Sequence, residues 1–182
     1  MTWTLDPSHT VVGFSAKHLG LTTVHGSFAD VSADIELDDE ANPTTAKGRV
    51  VVKTASLTTG HEQRDGHLRS PDFFDTEQYP EITFEATSVS HKGGDEYDVV
   101  GNLTVKDITK EISLHYEHGG VVTDPYGNVK VGGSLTATVN RMDWGLKWNV
   151  PLGGGGLLVG EKVKIEVEGQ LAKVKEEAAA SA

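Results

Sequence analysis

Apolar and polar residues alternate one for one along most of this chain, and that period of two restricts the fold more than any other feature. Ala29, Val31, Ala33, Ile35 and Leu37 fall on one side of an extended backbone, with Asp30, Ser32, Asp34, Glu36 and Asp38 on the other. The pattern returns at Val129, Val131, Gly133, Leu135, Ala137 and Val139, and again at Val163, Ile165 and Val167. Shorter versions occur at Ile82/Phe84/Ala86, Tyr97/Val99/Leu103/Val105 and Ile112/Leu114/Tyr116, and β-branched runs cover His9–Ala16 and Gly48–Thr54. Each segment predicts a strand with one buried face. A parallel sheet covered on both sides would need continuous apolar runs instead. Asp124-Pro-Tyr-Gly127 has the residues of a type I turn, and Lys92-Gly-Gly-Asp95 reads as a hairpin tip. The chain therefore reads as all-β, with about eight or nine antiparallel strands. An eight-stranded barrel would remove exposed edges and leave room for one ligand; a two-sheet sandwich has the same alternation.

A chain of 182 residues is long enough for one domain with its own core, here residues 1–172, followed by an alanine-rich, charged tail over 173–182 that reads as a frayed helix or flexible end. Sixteen basic against 27 acidic residues leave a net charge of −11, which disfavours nucleic acid and anionic bilayers as partners. Cysteine is absent, which removes disulfides and thiol chemistry. No run approaches the ~20 apolar residues of a membrane helix, so stable membrane insertion is not expected. The N-terminus lacks the basic and apolar regions of an export signal, so the chain reads as cytoplasmic.

The alternation breaks between Leu57 and Pro80. A connection of this length in a compact domain usually has a task. It carries Arg64, Asp65, His67 and Arg69 at one end and Phe73, Phe74 and Tyr79 at the other, the composition of a lid over an apolar cavity. Thr59-Gly-His-Glu62 has capping-box spacing and Ser70-Pro71 is a stop, which predicts a short helix over about residues 60–69. Asp65 and Arg69 would then pair on its surface.

Chemistry-bearing patterns are sparse. The eight histidines show no paired metal spacing, so no metal is expected. There is no nucleophile elbow; Asp65 with His67 is the one acid/base pair worth weighing. Gly153–Gly156 lacks the ending of a phosphate loop and reads as a tight bend at a barrel rim. The aromatic residues of the long connection, with Trp144 and Trp148, either plug a barrel end or line the mouth of a cavity.

Several segments, taken in order, resemble the YceI-like family. They are Leu5-Asp-Pro-Ser-His9 running into Phe14 and Lys17-His-Leu19; Val24-His-Gly-Ser-Phe28; Thr59-Gly60 with Arg64-Asp-Gly-His-Leu-Arg-Ser-Pro-Asp-Phe-Phe-Asp75; Tyr79-Pro-Glu-Ile-Thr-Phe84; Gly101-Asn-Leu-Thr-Val-Lys106; and Asn140-Arg-Met-Asp-Trp-Gly145. The resemblance covers about residues 3 to 170. It implies an extended eight-stranded antiparallel lipocalin-like barrel that binds a long isoprenoid chain, sometimes with a quinone or pyrophosphate head, and it suggests a homodimer. Two positions depart from the family's habit: Asp107 where a glycine is common nearby, and Trp144 where a phenylalanine or tyrosine is common. A larger ring at Trp144 would shorten the cavity.

The expected function is non-catalytic binding of a long-chain isoprenoid lipid, with no cofactor, for transport, storage or sequestration. The alternatives are a lipid-modifying enzyme using Asp65 and His67, and a structural or stress-response barrel without ligand. Expected ligand-binding residues are Phe14, His18, Arg64, Asp65, His67, Phe73, Phe74, Tyr79, Phe84, Leu103, Arg141 and Trp144. Lys17, His18, Arg64, His67, Arg69 and Arg141 put positive charge near the expected mouth, with Arg64 foremost as the anchor of an anionic head. The competing role for Arg64 and Arg141 is pairing with Asp65, Asp72 or Asp143 to hold the loop shut.

Overall fold

The computed structural model describes residues 1–175. Strands β1 (Thr2–Leu5), β2 (Val11–His18), β3 (Thr22–Phe28), β4 (Val31–Glu36), β5 (Lys47–Lys53) and β6 (Leu57–Thr58) lead to helix α1 (Glu62–Arg69). After it come β7 (Glu81–Gly93), β8 (Glu96–Val105), β9 (Ile108–Thr123), β10 (Val129–Asn140) and β11 (Val159–Lys173). The pairing order β1-β4-β5-β7-β8-β9-β10-β11 closes through β1–β11, an eight-stranded antiparallel barrel. That closure decides between barrel and sandwich.

The other three strands continue barrel walls that bend. Both β1 and β2 pair with β11, at Leu171–Lys173 and at Val159–Glu168 respectively, and the turn Pro7–His9 separates them. In the same way β3 and β4 are separated at Ala29-Asp30, and β5 and β6 at the turn Thr54–Ser56. Proline cannot donate to a ladder, so the Pro7 turn is a natural break. Between the pairs Thr4↔Asp34 and Val12↔Phe28 the ladder is interrupted, and a crevice of about 270 Å³ lies there.

Buried residues concentrate at the ends and along the bent walls. Phe73, Leu103, Val105, Trp144 and Leu146 pack at the end covered by α1 and the turn Arg141–Trp144; Trp3, Leu37 and Val131 pack at the opposite end. Phe28, Val52 and Leu57 form a third cluster beside the bends. Inward-facing residues between them, such as Val50, Val89, Ile112 and Val167, are only half-buried. An inward apolar residue that is not fully covered borders empty space, so this barrel is hollow.

Several expectations need correction. The helix begins at Glu62, and its N-cap is His61, whose Nδ1 accepts the Arg64 N–H at 3.4 Å. Thr59 is not the cap because its hydroxyl is engaged by Asp65 and Arg64. Asp65 lies on the buried face rather than the surface, and Arg69 donates to the Ala55 and Leu57 carbonyls instead of pairing with it. Lys173 belongs to β11, not to a tail; residues 176–182 lie outside the described residues.

Candidate functional site

A cavity of about 420 Å³ runs through the barrel from Leu37 and Leu171 at one end to Phe73, Trp144 and Leu146 at the other. Its wall is almost entirely carbon because every strand turns its apolar face inward. Phe84 stands beside Gly101 of the neighbouring strand, where an added methyl would lie 2.5 Å from the ring and 2.4 Å from the Glu85 carbonyl. The missing side chain at Gly101 lets that ring lie along the wall.

Seven of the twelve expected residues line this cavity: Phe14 on β2, Phe73 and Phe74 after α1, Phe84 on β7, Leu103 on β8, and Arg141 and Trp144 in the turn after β10. Phe14, Phe28 and Phe74 form an aromatic group with ring centroids 5.4–6.3 Å apart. The Trp144 indole N–H donates to the Leu103 carbonyl at 3.1 Å, which pins the plug to the barrel wall.

The other five do not line the cavity. His18 is exposed where β2 ends, and Arg64 is exposed on α1, donating to the Thr59 hydroxyl at 2.7 Å and carbonyl at 3.1 Å. Asp65 is buried beneath the helix, bonded to Thr58 and Thr59. His67 bonds Asp72 at 2.8 Å and packs edge-on against Phe73 and Trp148. Tyr79 lies outside the wall with Lys106 over its ring at 5.7 Å. Arg64 and His67 are kept out by the helical period: a helix lying over a barrel end turns one side inward, and here that side carries Leu68, which does line the cavity.

Charge is arranged differently from the expected cluster. Arg141 is 6% exposed, and its guanidinium donates to the carbonyls of Gly160 at 3.0 Å, Val159 at 3.3 Å and Leu146. Neither Arg64 nor Arg141 pairs with Asp65, Asp72 or Asp143. Burial pulls the Arg141 guanidinium below its ordinary value, opposed by the charge of Glu161. Asp65 and His67 make no hydrogen bond to each other and take separate partners, so the acid/base pair is not assembled. Among the described residues no group of three His, Asp or Glu side chains could hold a metal ion, and no helix is long and apolar enough to cross a membrane.

Among the cavity residues absent from the expected twelve, two carry hydrogen-bonding side chains that meet each other. Tyr116 and His118 on β9 both line the cavity, their side chains joined by a 2.9 Å hydrogen bond between Tyr116 Oη and His118 Nδ1. The alternation at Ile112, Leu114 and Tyr116 was the available signal, and one further period reaches His118.

Comparison with known proteins agrees with this geometry. The profile of the YceI-like domain matches residues 3–171. A UPF0312 protein of Staphylococcus aureus is 37% identical over 171 residues, spanning 92% of this chain and 95% of its own length. The crystal structure of a Campylobacter jejuni YCEI protein is 30% identical with a TM-score of 0.76, covering 87% of this chain and 90% of that one. A polyisoprenoid binding domain from Saccharophagus degradans shares the fold, with a TM-score of 0.69 at 15% identity over 94% of this chain and 98% of that one.

Proposed function

This chain belongs to the YceI-like family, and from that premise we propose that it binds one long-chain isoprenoid lipid inside its barrel, without chemistry and without a cofactor, so as to carry, store or sequester it. The observation that carries this reading is the cavity, which reaches from one end cluster to the other with a wall of carbon. A slender, branched hydrocarbon chain matches a tunnel of that shape. Each 100 Å² of chain surface taken from water contributes about 2.5 kcal/mol before the cost of ordering the ligand is subtracted. The polyisoprenoid binding named for the Saccharophagus degradans domain supports the choice of ligand class.

Solvent extraction of the purified chain, followed by mass spectrometry, tests the reading. An isoprenoid lipid at close to one per chain is expected, or stoichiometric uptake of an added one. Protein that carries no lipid and takes up none of several isoprenoids of different length would overturn it.

A further inference from the structure

The cavity wall is apolar with few exceptions, and those exceptions differ in what they leave free. Thr10 spends its hydroxyl on the Asp6 carbonyl at 2.7 Å, Arg141 spends three N–H groups on backbone carbonyls, and Lys47 lines the wall but is exposed to solvent. Tyr116 and His118 are arranged otherwise. The Tyr116 hydroxyl meets His118 Nδ1 at 2.9 Å and the Gly132 carbonyl at 3.3 Å, while His118 Nε2 makes no hydrogen bond among the described residues. No buried side-chain nitrogen or oxygen among the described residues is left unpartnered, so Nε2 is open to a ligand or to water. Gly133 makes the space for this pair, since a methyl there would lie 2.6 Å from the Tyr116 ring and 2.2 Å from the Glu117 carbonyl.

We propose that Tyr116 and His118 form the head-group subsite of the cavity, and that it takes an uncharged head bearing a carbonyl or hydroxyl oxygen. This rests on the lipid-binding reading above and adds to it which end of the ligand is recognised, and by what. The pair serves both kinds of oxygen because its proton can be placed in two ways. With the tyrosine hydroxyl donating to Nδ1, Nε2 carries the proton and donates to a carbonyl. With that hydroxyl donating to the Gly132 carbonyl, Nδ1 carries the proton and Nε2 accepts from a hydroxyl. Burial pushes the Tyr116 hydroxyl up to about 12, with Tyr97 adding to the effect, so it stays a neutral donor.

Burial in an apolar wall selects against an anionic head beside this pair. Tyr116 and His118 turn inward on β9, while Glu117 between them and its partner Glu96 on β8 are exposed on the outer face of the wall. An anion beside Tyr116 would lose its hydration in a cavity walled almost entirely by carbon, whereas a neutral oxygen bonded to the pair loses little.

The test displaces an apolar fluorescent probe from the full chain with three compounds that share one isoprenoid tail, bearing a benzoquinone head, a pyrophosphate head or no head. The quinone is expected to bind at least about fivefold more tightly than the headless tail, the size of one hydrogen bond. Tyr116→Phe and His118→Leu should each remove that gain while headless binding stays within about twofold. Tyr116→Phe keeps the ring, so a folding failure of the histidine variant does not remove the test. The subsite is overturned if the quinone head brings no gain, if the variants weaken both compounds equally, or if the pyrophosphate compound binds best. A headless tail that fails to displace the probe from wild type overturns the lipid-binding reading, and the subsite with it.

Discussion

Asp65 accepts the Thr59 backbone N–H at 2.8 Å and the Thr59 hydroxyl at 2.5 Å, and so ties the underside of α1 to the strand end that precedes it. Thr59 in turn accepts from Arg64 Nε at 2.7 Å, so the exposed arginine and the buried carboxylate hold one threonine between them. This arrangement positions the segment that covers one barrel end. It gives Arg64 and Asp65 structural work on the lid, away from the cavity.

Burial raises the Asp65 carboxyl, but the hydrogen bonds from Thr59 and Thr58, with the charge of Arg69, outweigh it and hold the group below its ordinary range. A depressed folded value means stability that is present above the unfolded value and lost as pH falls through the folded one. The contribution of Asp65 to the lid end should therefore be constant between about pH 5 and 8 and be lost only in acid. Asp65→Ala should cost about 1–3 kcal/mol by leaving buried donors unpaired. Urea unfolding across pH checks both, and an Asp65→Asn chain as acid-sensitive as wild type would assign the acid transition to other groups.

Trp144 is 4% exposed and fills the end of the cavity against Leu103. Trp144→Ala should cost about 3–5 kcal/mol. Trp144→Phe should cost less, removing the indole donor while keeping an aromatic ring, and should lengthen the cavity at that end. Affinities for a series of isoprenoids of increasing length should shift toward the longer members in the phenylalanine variant. An unchanged length preference would mean that Trp144 does not set the depth.

Arg141 presents a planar fork to three carbonyls from two chain segments, and a lysine cannot meet them together. Arg141→Lys should lose about 2 kcal/mol, which for a chain of this size lowers Tm by about 4–8 °C. Calorimetry of the two proteins measures it. A lysine variant that melts with wild type would mean that the charge suffices without the fork.

Alkaline stability should report Tyr116. Its folded value of about 12 lies above the ordinary 10.0, so the unfolded chain ionises first. Stability is then fully present below about pH 10 and falls between about 10 and 12, by up to roughly 2–3 kcal/mol for this group. Tyr116→Phe should flatten that limb in denaturant titrations. An identical limb in the variant would place the alkaline transition elsewhere.

Much of the barrel is legible before folding is considered. Alternation at Val129–Val139 and Val163–Val167 places β10 and β11, and the Asp124 turn closes as its residues demand: its side chain accepts the Tyr126 and Asn128 N–H groups at 2.9 Å. The broken walls were harder to read. Pro7 and the Ala29-Asp30 bend look like loop boundaries in one dimension, and only the shared partner β11 reveals β1 and β2 as one wall. Site residues were least legible in the long connection, where proximity in sequence stood in for proximity in space. Arg64, Asp65 and His67 share a motif with Phe73 and Phe74, yet only the phenylalanines line the cavity.

The order of residues alone determined that every strand has one apolar face, because a side-chain period of two is a local property of extended backbone. It thereby determined an all-β chain with a carbon-lined interior and polar exterior. Whether that interior would be filled or hollow was settled only in three dimensions. The bulky plugs Trp3, Phe73 and Trp144 gather at the ends and Gly101 and Gly133 make room along the wall, so the volume between is left open. Tertiary structure also decided which polar groups are used up. Arg141 meets carbonyls from residues 5 to 19 positions away, while the Tyr116–His118 pair keeps one ring nitrogen without a partner among the described residues. Hydrogen-bond satisfaction depends on neighbours that come together only when the ring closes, and no local pattern encodes it.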